Sequence, residues 1–164
     1  MTLSAPPATP LRRALFRAPI WLYRLGLGPL LGRRFVLITH RGRSSGQARQ
    51  AVLEVVGRNS ATGAVLVAAA YGPRAQWYRN ILHEPRVLFQ VGGRRLRGRA
   101  EPLPPGDSGD ALAHYAQARP ETARALTRAL GREVDGTPES YRGLGTDPVE
   151  GVPVVRLAPE RGEP

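Results

Sequence analysis

Short apolar runs alternate with clusters of glycine, proline and polar residues along the first hundred positions. "RFVLITH" (34–40), "QAVLEVV" (50–56) and "AVLVAAA" (64–70) are β-branched and apolar, which predicts three strands. "GRNSATG" (57–63) is a turn cluster between the second and third. "YGPRAQWYRNILHEP" (71–85) opens on a Gly-Pro break; helical spacing then puts Trp77, Ile81 and Leu82 on one side before Pro85. In "RVLFQVGGRRLRGRAEPL" (86–103), Gly92-Gly93 predicts a tight hairpin turn of the primed kind. The two-residue period of its second strand gathers Arg95, Arg97 and Arg99 on one face, solvated unless an anion covers it.

The pattern changes at "PLPPG" (102–106). Residues 108–118 and 120–130 have helical spacing, with a break at Arg119-Pro120 and a stop at Gly131. Residues 131–151 read as a Gly/Pro/acid-rich loop, "VPVVRL" (152–157) as a last strand, and the tail after it as frayed. Ahead of the strands, Thr9-Pro10 is an N-cap and first-turn pair. Leu11, Leu15, Trp21, Leu22 and Leu25 then give an apolar stripe, with Pro19 as a kink point. The expectation is one domain over 1–164: an N-terminal helix in 10–31, a barrel core over 34–101, a helical segment over 105–131 and a closing strand at 152–157. Five or six strands with hairpin-type links and added helices make it a small antiparallel barrel, α+β in class.

A chain of 164 residues can bury roughly 70% of its unfolded surface in one domain. Cysteine is absent, and His40, His83 and His114 stand in no metal-ligand spacing, so neither disulfides nor a metal site is expected. All 24 basic residues are arginine. Residues 1–100 hold 17 of them against only Glu54 and Glu84, a net +15; residues 101–164 hold seven against eleven acids, a net −4. Arginine bias explains the residue type but not this asymmetry, which calls for an anionic partner: nucleic acid, a lipid surface or a phosphorylated cofactor. Arg12, Arg13, Arg17 and Arg24 interrupt every candidate signal core, so the expected location is the cytoplasm. Peripheral membrane contact through the N-terminal helix is the alternative location. With 6% aromatic residues the chain lacks aromatics interleaved with its arginines, and no specific nucleic-acid partner is expected.

"ITHRGRSSGQAR" (38–49) concentrates the chemistry. "GRSSG" (42–46) matches the G-x-S-x-G serine elbow, with Asp107 and His114 following in hydrolase order. That motif requires a helix after the serine, whereas "QARQAVLEVV" alternates like a strand. The segment also lacks the spacing and lysine of a Walker loop. It does supply flexible glycines, two hydroxyls and guanidinium forks suited to phosphate or carboxylate. The residues alone leave it between a solvated hairpin loop and an anion cradle.

The T-x-x-G-R-x-S-G-x-x-R loop, the W-Y-x-N helix, the x-P-x-V strand after it and the closing V-P-V-V-x-L strand together resemble the deazaflavin-dependent nitroreductase family. The resemblance covers about residues 20–101 and 150–158. It implies a split β-barrel of the FMN-binding kind and coenzyme F-420, a deazaflavin with a phosphate and a polyglutamate tail, in preference to FMN. On that resemblance Arg43, Ser44, Ser45 and Arg49 hold the phosphate and neighbouring tail. Gln50, Ala51 and Leu53 line the cofactor along the next strand. Ala69, Ala70 and Tyr71 offer main-chain N–H groups near the ring, and Gln76, Trp77 and Asn80 reach it from the helix. No residue is assigned a catalytic role. Ser44 departs from a frequent basic residue and Ala70 from a hydroxyl found in some members, and residues 102–150 do not match the nitroreductases' aromatic-rich acceptor segment. The implied activity is hydride transfer from reduced coenzyme F-420 to a small electron-poor acceptor such as a quinone, enone or nitro compound, by a chain able to pair as a homodimer. The alternative is a deazaflavin, flavin or lipid carrier on the same barrel without turnover.

Overall fold

The computed structural model describes residues 32–161; the expected N-terminal helix lies outside them. Six strands, β1 (Phe35–Arg41), β2 (Ala48–Arg58), β3 (Val65–Ala68), β4 (Arg86–Val91), β5 (Arg94–Pro102) and β6 (Val154–Pro159), close into a barrel in the order β1-β2-β3-β6-β5-β4. Every pairing is antiparallel, so closure leaves no unpaired sheet edge. Four helices complete the fold: α1 (Gln76–His83), α2 (Pro105–Ala118), α3 (Pro120–Ala129) and α4 (Pro138–Thr146). The expected α+β barrel is the architecture observed. Among the described residues no helix is long and apolar enough to cross a membrane.

Alternation puts Val36 and Ile38 of β1, Val65 and Val67 of β3, Val87 and Phe89 of β4, and Val155 and Leu157 of β6 inside the barrel. Phe89 fills the centre because β5 offers Gly98 there: a Cβ at 98 would stand 2.7 Å from Phe89 Cε1. Large against small across facing strands is how a narrow barrel fills without voids. At Gly92-Gly93 only Gly92 has positive φ (58°), as in the primed turn with glycine at its first central position.

A second apolar cluster lies outside the barrel, where Leu112, Tyr115 and Ala116 of α2, Ala123 of α3 and Tyr141 of α4 cover β2, β3 and β6. The β2–β3 register shifts between Val55 and Gly57, and Val56, on that bulge, packs into the helical cluster. Ser108, fully buried on α2, accepts a hydrogen bond from the Val154 main-chain N–H at 2.9 Å and so ties the helical layer to β6.

Two readings change here. Residues 131–151 hold a helix, α4, rather than only a loop. Its start carries ordinary signals: Thr137 at the N-cap accepts from Ser140 N, with Pro138 at the first turn. Gly143 and Gly145, poor helix formers, hide it in the sequence. The tail is also ordered at its start, since Pro159 pairs with Gly98 and Glu160 N–H donates to Arg97 O at 2.9 Å.

Gly145 sits where α4 crosses α2, and a Cβ there would lie 2.7 Å from Gly109 Cα and from Ser108 O. Main-chain atoms cannot give way cheaply, so Gly145→Ala should destabilise the fold by about 1–3 kcal/mol. Urea unfolding followed by circular dichroism checks this; an unchanged midpoint would refute close packing of α2 on α4.

Candidate functional site

The β1–β2 ladder runs out at Arg41↔Ala48, leaving residues 42–47 as the loop. Gly46, at φ 67°, reverses the chain, with Gly46 N–H donating to Gly42 O and Gly42 N–H to Gln47 O, both at 2.8 Å. Gly42 lets Ser45 Oγ lie close to the main chain, 2.7 Å from where a Cβ would stand. Strand, loop, strand is the order observed, so Ser44 is on no elbow. Asp107 and His114 lie exposed on α2, outside the cavity that Ser44 lines.

That cavity, about 700 Å³, opens where the 42–47 loop, the inner mouth of β1 and β2, the 71–75 turn and the start of α1 meet. Three guanidinium groups line it, Arg43, Arg49 and Arg74, with the hydroxyls of Ser44 and Ser45 and no carboxylate. Arg49 and Arg74 form no ion pair among the described residues. Ala51, Tyr71, Ala75 and Trp77 supply the apolar part of the wall. Ala75, the N-cap of α1, brings no side-chain cap, so the positive end of the helix dipole is turned to the cavity without a competing acceptor.

Asn80 joins these pieces. It is 5% exposed, and its Oδ1 accepts from the Arg43 main-chain N–H at 3.1 Å and from Arg43 Nη1 at 2.9 Å. Its Nδ2 faces His40 Nδ1 at 3.2 Å. Arg43 Nη1 also donates to Gln76 Oε1 at 3.0 Å, so the guanidinium is held from two positions of α1. Burial, and next to it the charge of Arg49 across the ladder, lowers His40 from the usual imidazole value to about 4.

Of the residues expected at the site, Arg43, Ser44, Ser45, Arg49, Gln50 and Ala51 come together around this cavity from the loop and β2. Tyr71, Gln76, Trp77 and Asn80 join them from the other side. Trp77 serves both as wall and as core, 8% exposed and edge-on to Tyr78 at 6.0 Å. Leu53, Ala69 and Ala70 are placed elsewhere. Leu53 is one inward step deeper than Ala51 and belongs to the barrel core. Ala69 is fully buried there, and its N–H already donates to Pro153 O at 2.8 Å, which closes the β3 side of the mouth. Ala70 does not reach the cavity wall. His40, Arg74 and Ala75 line it without having been expected. The inward parity of Val36, Ile38 and His40 is the signal that could have found the histidine. Arg95 and Arg97 stand apart, beside a smaller concavity of about 310 Å³ with Leu88 and Gln90. Among the described residues no cluster of acidic or histidine side chains could hold a metal.

Residues 16–135 match the model of the F420H(2)-dependent quinone reductase family. The chain belongs to this family. It is therefore an oxidoreductase, an F-420-dependent reductase whose cofactor is coenzyme F-420. The nitroreductase relation expected from the motifs holds at the level of a deazaflavin-dependent reductase. Among solved structures the chain is similar to an F420-H2 dependent reductase (FDR-A), with 23% identity, a TM-score of 0.50, and coverage of 77% of this chain and 95% of that one. It is similar too to a pyridoxamine 5'-phosphate oxidase-related, FMN binding protein from Nostoc punctiforme, with 15% identity, a TM-score of 0.54, and 93% and 82% covered. A third similar structure, described as a domain-swapped dimer, has 22% identity, a TM-score of 0.51, and 85% and 99% covered. At these identities the likenesses speak to the split-barrel fold. No curated protein matches the chain.

Because His40 is held neutral in the folded chain and charges more readily when unfolded, its folded pKa lies below its unfolded one. The stability this gives is complete above about pH 6.5 and is lost as the pH falls toward about 4. The parent should therefore lose stability over that window with a limiting slope of about 1.4 kcal/mol per pH unit, and His40→Asn should lack this component. Denaturant midpoints from pH 7 to 4 measure it; identical slopes in the two proteins would refute a buried neutral imidazole.

Proposed function

We propose that the 42–47 cavity is the coenzyme F-420 site of this reductase, with Arg43 and Arg49 as the guanidinium forks on its phosphate and Ser44 and Ser45 beside them. The observation that carries this is a wall with three arginines and no carboxylate. Such a wall is electrostatically costly until an anion occupies it. Ser44 and Ser45 also keep their main-chain N–H groups unpaired among the described residues, as an anion cradle requires. Trp77, Ala51 and Ala75 offer a flat apolar wall to a ring system, and the volume suits a cofactor-sized ligand.

When bound, the reduced deazaflavin supplies the hydride. The chain's own residues hold and orient it: the arginines fix the anionic end, and Gln76 and Asn80 hold Arg43 in place. Arg74 and the uncapped start of α1 add positive potential at the mouth, which favours an acceptor as it gains negative charge. The wall provides no carboxylate and His40 stays neutral near pH 7, so its charged groups, the arginines, act by positioning and electrostatics. A quinone is the acceptor we assign, with enones and nitro compounds as electron-poor competitors. The single-domain organisation expected from the sequence fits this reading, since both walls of the cavity come from one barrel. A homodimer is the assembly we assign, drawing on the domain-swapped dimer among the similar structures.

Fluorescence titration should show F-420 binding at low-micromolar protein and weaker FMN binding; absence of F-420 binding would overturn the assignment. Arg43→Ala and Arg49→Ala should each weaken F-420 binding by about tenfold or more, the worth of a charged hydrogen bond. Arg49→Ala should do so without lowering the thermal midpoint, since Arg49 forms no ion pair in the free protein. Reduced F-420 with a quinone panel should then give turnover; binding without turnover on any acceptor would mark a carrier instead.

A further inference from the structure

Asn80 Oδ1 takes two donors from Arg43, one main-chain and one guanidinium. An amide nitrogen only donates, so with Oδ1 so engaged it is Nδ2 that meets His40 Nδ1. His40 Nδ1 is therefore the acceptor, and its one proton sits on Nε2. If the amide were reversed, Nδ2–H would point at two Arg43 donors and the contact would fail on both sides. The two Arg43 donors set the amide orientation, and an imidazole that accepts at Nδ1 completes it from the other side.

We propose that His40 is a positioning residue of the cofactor site: by accepting a hydrogen bond from Asn80 Nδ2, it satisfies the far side of the buried amide and steadies it in the orientation that holds the main chain and guanidinium of Arg43 at the cavity. This rests on the reading of the cavity as the F-420 site. Nothing in the barrel core demands a histidine at this inward position, since Val36 and Ile38 fill the same face below it with aliphatic groups. Arg49 from β2 and Arg43 from the loop are the charged groups that face His40, α1 brings the uncharged amides of Asn80 and Gln76, and no carboxylate lines the cavity. A second proton on the ring would put N–H against N–H at Asn80. Acidification should then release Arg43 while the barrel still stands.

Two substitutions separate the possibilities. His40→Asn keeps an acceptor close to the place of Nδ1 and cannot titrate; His40→Phe keeps bulk and removes the acceptor. F-420 affinity in His40→Asn should stay within about threefold of the parent, and in His40→Phe fall by about tenfold or more. Between pH 5 and 4 the parent should lose affinity beyond any loss in His40→Asn, which serves as the control for titration of the cofactor. A readout independent of cofactor is hydrogen exchange of the Arg43 main-chain N–H in the free protein. It should accelerate about tenfold in His40→Phe and be unchanged in His40→Asn. Equal Arg43 exchange in all three proteins overturns the inference even if F-420 binds. If the parent fails to bind F-420, the site reading falls, and the exchange result still decides the role of His40. If His40→Phe does not fold, imidazole nitrogen shifts of the parent at pH 6 decide it. A proton on Nδ1 there would overturn the inference.

Discussion

One buried amide holds the mouth of this barrel together. Asn80 stands on α1, yet its hydrogen bonds run to β1 through His40 and to the 42–47 loop through Arg43. A short helix of eight residues has little stability of its own, and α1 is held by burying Trp77, Asn80 and Ile81 on one stripe. With the amide satisfied, helix, strand and loop form one rigid corner. With it unsatisfied, a buried polar group would be left beside a cluster that is otherwise apolar. The geometry of the cavity wall therefore depends on the hydrogen bonds of this one amide.

The charge pattern imposes the second constraint. Three guanidinium groups around one cavity repel one another, and the nearby imidazole is held neutral in part by Arg49. The surface ion pairs lie elsewhere, at Arg34–Glu54, Arg142–Asp110 and Arg156–Glu101 among others. Carboxylates thus neutralise arginines on the outer surface of the barrel and between α2 and α4, and leave the cavity wall positive. On the proposed reading of the cavity, stability forgone in the free protein becomes affinity for the anionic end of the cofactor, the usual exchange at sites kept pre-organised for charge.

Local patterns made much of the fold legible. The first three strands are legible as β-branched runs, the hairpin by Gly92-Gly93, and α3 by Pro120 at its start, whereas α2 begins at Pro105, three residues ahead of the helical spacing read from 108. The residues of the 42–47 loop alone read as an anion cradle or a plain hairpin loop, and the resemblance carried by the W-Y-x-N helix favours the cradle. Three kinds of information were not local. The α4 helix is stabilised by its fit against α2 at Gly109 and Gly145, and the glycines that permit this fit make the segment read as a loop despite its Thr137-Pro138 start. Ala69 differs from an available donor only because Pro153, more than eighty positions later, lies within 2.8 Å of it. Leu53 shares its face with Ala51, but one further step along an inward-facing row passes from the mouth of a barrel into its core.

That last distinction also explains why a histidine can occupy a strand that otherwise reads as core. On β1 the inward positions descend from His40 through Ile38 to Val36, and only the first is level with the loop and α1. At this level the barrel is no longer closed by side chains of its own strands; α1 closes it instead, and α1 brings an amide. An aliphatic residue at 40 would pack well yet leave Asn80 Nδ2 with no acceptor, a cationic one would stand against Arg49, and a carboxylate would pair with Arg49 and cancel its charge at the cavity. A neutral acceptor of aromatic size satisfies both demands. The depth of a residue along a barrel strand therefore decides which chemistry its side chain must offer, even where the alternation of inward and outward positions is unbroken.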